Sequence, residues 1–350
     1  MHVSILPDEA LNYVNTVVVG DVENIWPQLI DDFEKGDLKR LYNQPLATLD
    51  NLVVQDHSIY NKGYWYSAIQ TTRGCPNNCS FCSINALCKG KYLSRPAEEV
   101  LYEIEIAPKR MVCFVDDNFI GNTSKEHIRA SKILEGMIKK KMNKIWWTHI
   151  SLNVAQNEDF LELAAKSGCK MFFIGIESEI TDSLKEVNKN INLRIAPENY
   201  IKTIKKIHKY GINVLGSMIY GFDADTYENL YKRTKFLLKS NIDIIQVLPL
   251  IPFPGTQVFN KFKSQNRLLF TNFPNDWVHY DGLEVTYIPA NMTDEQLSSN
   301  LKKTYKTLYA KYAIYRKFLR TFLEIKNYKH AKWSLVSNYN YRKIYYPGNK

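Results

Sequence analysis

Between Thr71 and Cys82 the chain reads TTRGCPNNCSFC, which sets Cys75, Cys79 and Cys82 in a C-x3-C-x2-C spacing directly after a short apolar run. Three thiols this close, on a loop that Gly74, Pro76, Asn77 and Asn78 allow to fold back on itself, suit one soft metal centre rather than disulfides. A structural zinc ion normally takes four protein ligands. Three cysteines on a cubic iron–sulfur cluster leave one iron open to a ligand from solution. The spacing therefore points to a reactive cluster. The competing reading is zinc completed from elsewhere, with Cys88 the nearest candidate, while Cys113 and Cys169 read as small core residues.

The same loop carries a resemblance: with an aromatic, Phe81, just before the third cysteine, it is similar to the signature of the radical S-adenosylmethionine (SAM) enzymes. The resemblance implies a [4Fe–4S] cluster on Cys75, Cys79 and Cys82, an open iron chelating the amino and carboxylate groups of SAM, and Phe81 near the adenine. It also implies the reaction. The reduced cluster, fed by a donor such as flavodoxin or ferredoxin, passes an electron to SAM, and the resulting 5′-deoxyadenosyl radical abstracts hydrogen from an unactivated carbon.

Such a loop must be held by a framework, and the chain alternates strand-like and helix-like segments after residue 64. Strand runs at 66–72, 111–116, 145–151, 171–176, 213–220 and 242–248 are separated by amphipathic stretches at 97–106, 124–141, 158–167, 197–210 and 226–240. Near-continuous apolar strands between helices predict a parallel α/β sheet, either doubly wound or closed into a barrel. The resemblance selects a partial (β/α)6 barrel over residues 64–256.

Parallel α/β folds place their ligands at the C-terminal ends of the strands, and polar residues cluster there. Asp116, Asp117 and Asn118 follow the second strand and could accept hydrogen bonds from an ammonium; the family's corresponding strand end meets the SAM amino group, although an Asx turn explains the same residues. Gly175, Glu177 and Ser178 lie in GIES, similar to a family motif near the SAM ribose and methionine. Gly216 opens GSMIYGFDAD, which resembles the adenine-side motif, and residues 249–255 (PLIPFPG) resemble the loop over adenine. Arg194 is a candidate for the SAM carboxylate. His149, among Trp146, Trp147 and Thr148, is a candidate acid or base, with a satisfied core histidine as the alternative.

The flanks differ from this core. Residues 1–45 hold one strand-like run and one helix-like run, similar to the last piece of a cobalamin-binding domain; a single strand–helix pair cannot form that cofactor's cleft, so the chain alone is expected not to bind cobalamin. A separate cobalamin-binding chain is the partner this implies. Residues 46–63 read as a connector, with Pro45, Asp50, Asn51, Asn61, Lys62 and Gly63 as turn signals. Residues 257–350 read as an α-rich extension, with a short strand at 283–288 and one long helix after Thr293. Its expected apolar stripe of Leu297, Leu301, Tyr305, Leu308, Tyr312, Tyr315, Leu319 and Phe322 should pack on the barrel, leaving Lys302, Lys303, Lys306, Lys311, Arg316, Lys317 and Arg320 outside.

Of the formal net charge of +10, all the excess lies in residues 301–350, which carry 13 Lys/Arg and one acidic residue. That tail reads as a solvated face, as a peripheral contact with anionic lipid, or as a nucleic-acid contact. At 350 residues and 45% hydrophobic the chain can bury a large core, and no apolar run approaches the roughly 20 residues that span a bilayer. Residues 1–11 lack signal-peptide features, and a cytoplasmic location is expected. The expected activity is radical C–H activation on a small-molecule or lipid substrate, with methyl transfer one outcome. The alternatives are a non-catalytic scaffold and an RNA-modifying enzyme.

Overall fold

The computed structural model describes residues 2–44, 46–59 and 63–345; Pro45, Asn61 and Lys62, three of the expected turn residues, lie outside the described residues. Six core strands form one parallel sheet: β1 Ser67–Ile69, β2 Met111–Phe114, β3 Ile145–Ile150, β4 Cys169–Glu177, β5 Asn213–Tyr220 and β6 Ile244–Pro249. Their order in space is their order in sequence, and the two edge strands do not pair with each other. A helix follows each: α1 Ala97–Ile106, α2 Ser124–Lys139, α3 Glu158–Ser167, α4 Tyr200–His208, α5 Tyr227–Lys239 and α6 Gln257–Ser264. This is the expected α/β class with six strand–helix units.

Local chemistry explains the elements. On β3 the residues alternate: Trp146, Thr148 and Ile150 are buried, whereas Trp147 and His149 are only half-buried. Trp146 packs with Phe114, Phe119 and Phe172 in the main core. Burying a side chain of this size is worth roughly 2–3 kcal/mol. Gly168 ends α3 at φ +102°, where a Cβ would meet the Lys144 carbonyl oxygen at 2.1 Å, so the turn into β4 requires glycine. Thr123 caps α2: its side chain accepts from the Glu126 amide, and the Glu126 carboxylate accepts from the Thr123 amide.

Several boundaries depart from the sequence reading. The expected first strand is split. Ser67–Ile69 joins the sheet, while Thr72–Gly74 turns away and pairs antiparallel with Tyr92–Ser94, framing the cysteine loop. The expected strand at 283–288 is a single bridge between Leu268 and Tyr287, because Tyr287 is held by its side chain instead: it donates to the Gly221 carbonyl and stacks on Phe262. At the N-terminus, Val17–Val19 pairs in parallel with a strand not anticipated, Leu41–Asn43, beside a helix Trp26–Lys35 that has no buried residue.

The long C-terminal helix is three: α7 Asp294–Leu308, α8 Lys311–Ile325 and α9 Tyr328–Tyr345. Side chains from all three satisfy carbonyls on or just before the edge strand β6. Tyr305 and Tyr309 donate to the Val247 and Ile245 carbonyls, Arg320 to Ile242, and Ser334 and Asn338 to Asp243. An edge that would otherwise present unpaired backbone groups is thus covered. The break at Tyr309 and Ala310 divides the expected stripe. Leu297, Leu301, Tyr305 and Leu308 are buried, whereas Tyr312, Tyr315, Leu319 and Phe322 are exposed. Lys317, expected outside, is buried.

Candidate active site

At the C-terminal ends of the strands lies a cleft of about 450 Å³, and Cys75, Cys79 and Cys82 all line it together with Phe81, Asp117, His149, Gly175 and Glu177. The sequence reading brought these eight to one place. None of the three cysteines is in a disulfide. Burial pushes the Cys79 thiol up to about 11 and the Cys82 thiol in the same direction, so bonding to a metal would have to displace their protons. Thiolates on a single tetrahedral ion stand about 3.8 Å apart, given metal–sulfur bonds near 2.3 Å. Among the described residues no three His, Cys, Asp or Glu side chains are grouped for one ion. A four-iron cube, by contrast, bonds each thiolate to a different iron. Cys88, the fourth ligand of the zinc alternative, is buried beside Gly74 and does not line this cleft.

The loop is held from β2. Asp116 is buried, and its carboxylate accepts from the Thr71 amide (2.6 Å), the Thr71 hydroxyl (2.5 Å) and the Thr72 amide (2.9 Å). Its oxygens are therefore committed to the backbone entering the cysteine loop, and Asp116 is a positioning residue rather than a cleft residue. Asp117 accepts from the Gly74 amide at 3.0 Å and still lines the cleft. Asn118 lies behind the wall, its amide nitrogen 3.3 Å from Ser151 Oγ and 4.0 Å from Cys75 Sγ.

On β4 the register shifts between Gly175 and Glu177, which pair with Ser217 and Met218, and Glu177 adopts φ +61°, a left-handed conformation that costs a non-glycine residue of order 1 kcal/mol. The twist aims its carboxylate at Lys189, 2.8 Å away and also lining the cleft. Burial pulls the Lys189 ammonium down, but Glu177 and the neighbouring cysteines outweigh it and hold the pKa above the usual lysine range. A Cβ at Gly175 would lie 2.2 Å from Glu177 Oε1 and 2.9 Å from Lys189 Nζ, so only glycine admits the pair at this spot. Asn192 donates to the Gly175 and Ile176 carbonyls, leaving its buried Oδ1 without a hydrogen-bond partner among the described residues.

His149 Nδ1 lies 3.2 Å from the Asp116 carbonyl. A carbonyl can only accept, so Nδ1 carries the proton and Nε2 is the lone-pair nitrogen. Burial lowers the His149 pKa against the opposing pull of the Asp116 carbonyl and Asp117, and Phe173 packs on the ring at 4.5 Å between centroids.

Five expected site residues do not line the cleft, Asn118 among them as described. Ser178 is wholly buried and caps the next turn through Ile180 N. Gly216 faces away, packed against Ile242 and Ile176. Arg194 is exposed on the helix Asn190–Ile195. Asp116 is committed as described. Lys189, Asn192, Ser217 and Gln246 were not anticipated. Ser217 and Gln246 sit at paired register positions on β5 and β6, readable as inward positions once strand alternation is phased on Gly175. Residues 249–251 and 253 of the last loop form a cleft wall as expected.

A parallel six-stranded α/β scaffold with a three-cysteine loop after its first strand defines a SAM-dependent iron–sulfur protein. The chain belongs to the radical SAM superfamily, whose family model matches residues 69–237. It is 30% identical to the bacteriochlorophyllide d C-12(1)-methyltransferase of Chlorobaculum tepidum over 91% of this chain and 69% of that protein. It is 28% identical to the hopanoid C-2 methylase of Rhodopseudomonas palustris over 59% of this chain and 39% of that protein. The cobalamin-dependent SAM radical enzyme OxsB, solved with aqua-cobalamin and SAM, superposes with a TM-score of 0.64 at 15% identity, covering 99% of this chain and 58% of OxsB. The chain thus spans a little over half the length of that structure.

Proposed function

We propose that this chain is a radical SAM enzyme that activates a C–H bond of an apolar substrate, with methyl transfer the outcome that the relatives' names favour. The observation that carries the proposal is the meeting of three unpaired thiols, a buried Lys189–Glu177 pair and an unsatisfied Asn192 acceptor in one cleft at the strand ends. When bound, a [4Fe–4S] cluster and SAM supply one electron and the 5′-deoxyadenosyl radical that takes a hydrogen atom from carbon.

In this reading the residues divide the work by chemistry. Cys75, Cys79 and Cys82 hold the cluster. Lys189, in place of the exposed Arg194, meets the SAM carboxylate, while Asp117 and Asn192 Oδ1 accept from its amino group. Phe81 and residues 249–253 give the adenine an apolar wall. His149 Nε2 accepts a hydrogen bond from the substrate, and Phe173, Ile219 and Leu248 exclude water from it.

Cobalamin does not fit the described residues alone. Two three-residue strands and three helices with no buried residue, His2–Ile5, Pro7–Ala10 and Trp26–Lys35, make no enclosing cleft. A further α/β module, carried by this or a separate chain, would have to hold it. The test is anaerobic incubation of the reconstituted chain with SAM and dithionite: 5′-deoxyadenosine and methionine should form, and His149→Gln should keep this activity. Absence of 5′-deoxyadenosine with the cluster intact would refute the reading.

A further inference from the structure

The helix α8 is docked the wrong way round for a helix that simply completes a core. Its buried face is Ala313, Ile314, Lys317 and Thr321, in which Lys317 donates to Asn338 Oδ1 at 2.6 Å and Thr321 to Asp243 Oδ1 at 2.5 Å. Its large apolar residues point outward: Tyr312 is 65% exposed, Tyr315 51%, Leu319 57%, Phe322 41% and Leu323 71%. At 100° per residue these five fall on one continuous stripe. Burying them inward would have been worth far more than burying a lysine and a threonine, so the outward stripe has a use that folding does not supply.

What borders the stripe identifies the partner. Lys311 and Arg316 flank it on opposite sides, Lys326 continues it beyond the helix end and Lys329 follows, all exposed. Glu324, the single acidic residue after position 300, is turned away onto Asn241 and Lys205. An apolar stripe with tyrosines near one end and a wholly cationic rim matches the interface of an anionic bilayer, where aliphatic groups enter the acyl boundary, tyrosine sits at headgroup level and lysines meet phosphate. No described helix is long and apolar enough to cross a membrane, so the contact is with the surface.

We propose that α8 is a membrane-docking helix that lays Tyr312, Leu319, Phe322 and Leu323 on an anionic lipid surface, with Lys311, Arg316 and Lys326 pairing with lipid phosphates. It does not rest on the catalytic reading. The test uses the full chain in sedimentation with vesicles of equal phosphatidylglycerol and phosphatidylcholine, and with phosphatidylcholine alone. The chain should pellet with the anionic vesicles only, and its binding should weaken as salt rises. Leu319→Glu with Leu323→Glu should weaken it by about tenfold or more at unchanged melting temperature, since both positions face solvent. Should that pair perturb folding, Tyr312→Ser with Phe322→Ser serves as the second variant and carries the same expectation. Binding that survives both variants would overturn the proposal. So would vesicle binding abolished by competing single-stranded RNA while the stripe variants stay normal, or a stripe whose mutation dissolves a dimer without altering vesicle binding.

Discussion

Replacing Asp116 separates a positioning role from a ligand role. Its buried carboxylate receives three hydrogen bonds from Thr71 and Thr72 at the entrance to the cysteine loop. Asp116→Ala strands two backbone amides and a hydroxyl in a dry site, each costing about 1–3 kcal/mol. Part of that is offset, because burial opposes ionisation and pushes the carboxyl up to about 6 from an ordinary 3.8. A net loss of about 3 kcal/mol follows, lowering the melting temperature by roughly 4 °C for a chain of 350 residues. Asp116→Asn keeps one oxygen for both amides and lets the Thr71 hydroxyl accept instead of donate, so it should cost only about 1 kcal/mol. The folded state holds the extra proton between pH 3.8 and about 6, so Asp116's contribution to stability declines as pH rises through that window, and Asp116→Asn should lack that slope. Anaerobic thermal unfolding and SAM titration of both variants are the assays. Loss of SAM affinity in Asp116→Asn with its iron and stability intact would refute the reasoning, because it would make the carboxylate a SAM ligand.

Three further outcomes are expected. Lys189→Met leaves Glu177 buried and unpaired at a cost of about 3–5 kcal/mol; adding Glu177→Gln should restore melting temperature but not SAM affinity, and recovery of affinity would move the SAM carboxylate elsewhere. Lys317 is pushed down to about 7 by burial and by Arg320 from an ordinary 10.5, so the unfolded chain binds the extra proton and its contribution to stability grows as pH rises from 7 to 10.5. Lys317→Met should flatten that rise, and an unchanged slope in pH-dependent unfolding would count against the assignment. Equilibrium dialysis of this chain with hydroxocobalamin should give no micromolar one-to-one binding, and tight binding would show that residues 2–44 do more than their two short strands allow.

Much of the fold was legible because its signals are local. Strand runs, glycine stops such as Gly168 and Gly211, and the Thr293 cap of α7 follow from backbone preferences within a few residues. The cysteine loop was legible for the same reason, since its three cysteines lie within eight positions. Lys189 was not, because its partner in the cleft is Glu177, whose left-handed backbone no propensity favours. Arg194 and Lys189 lie five residues apart, and only the short helix between them decides which cation faces the cleft. The reversal of α8 was hidden by periodicity itself, for an apolar stripe gives the helix face and not the side on which its neighbour stands. The docking is set instead by polar partners on Asp243 and Asn338, distant in sequence.

The central claim is that the three cysteines of this loop, and no others, hold a four-iron cluster. Iron and sulfide analysis with absorbance and electron paramagnetic resonance after anaerobic reconstitution tests it directly. The intact chain should hold about four irons, Cys75→Ala, Cys79→Ala and Cys82→Ala should each lose the cluster signal, and Cys88→Ala, Cys113→Ala and Cys169→Ala should keep it. Stoichiometric zinc without iron, or a cluster that survives loss of Cys79 but not of Cys88, would contradict the account.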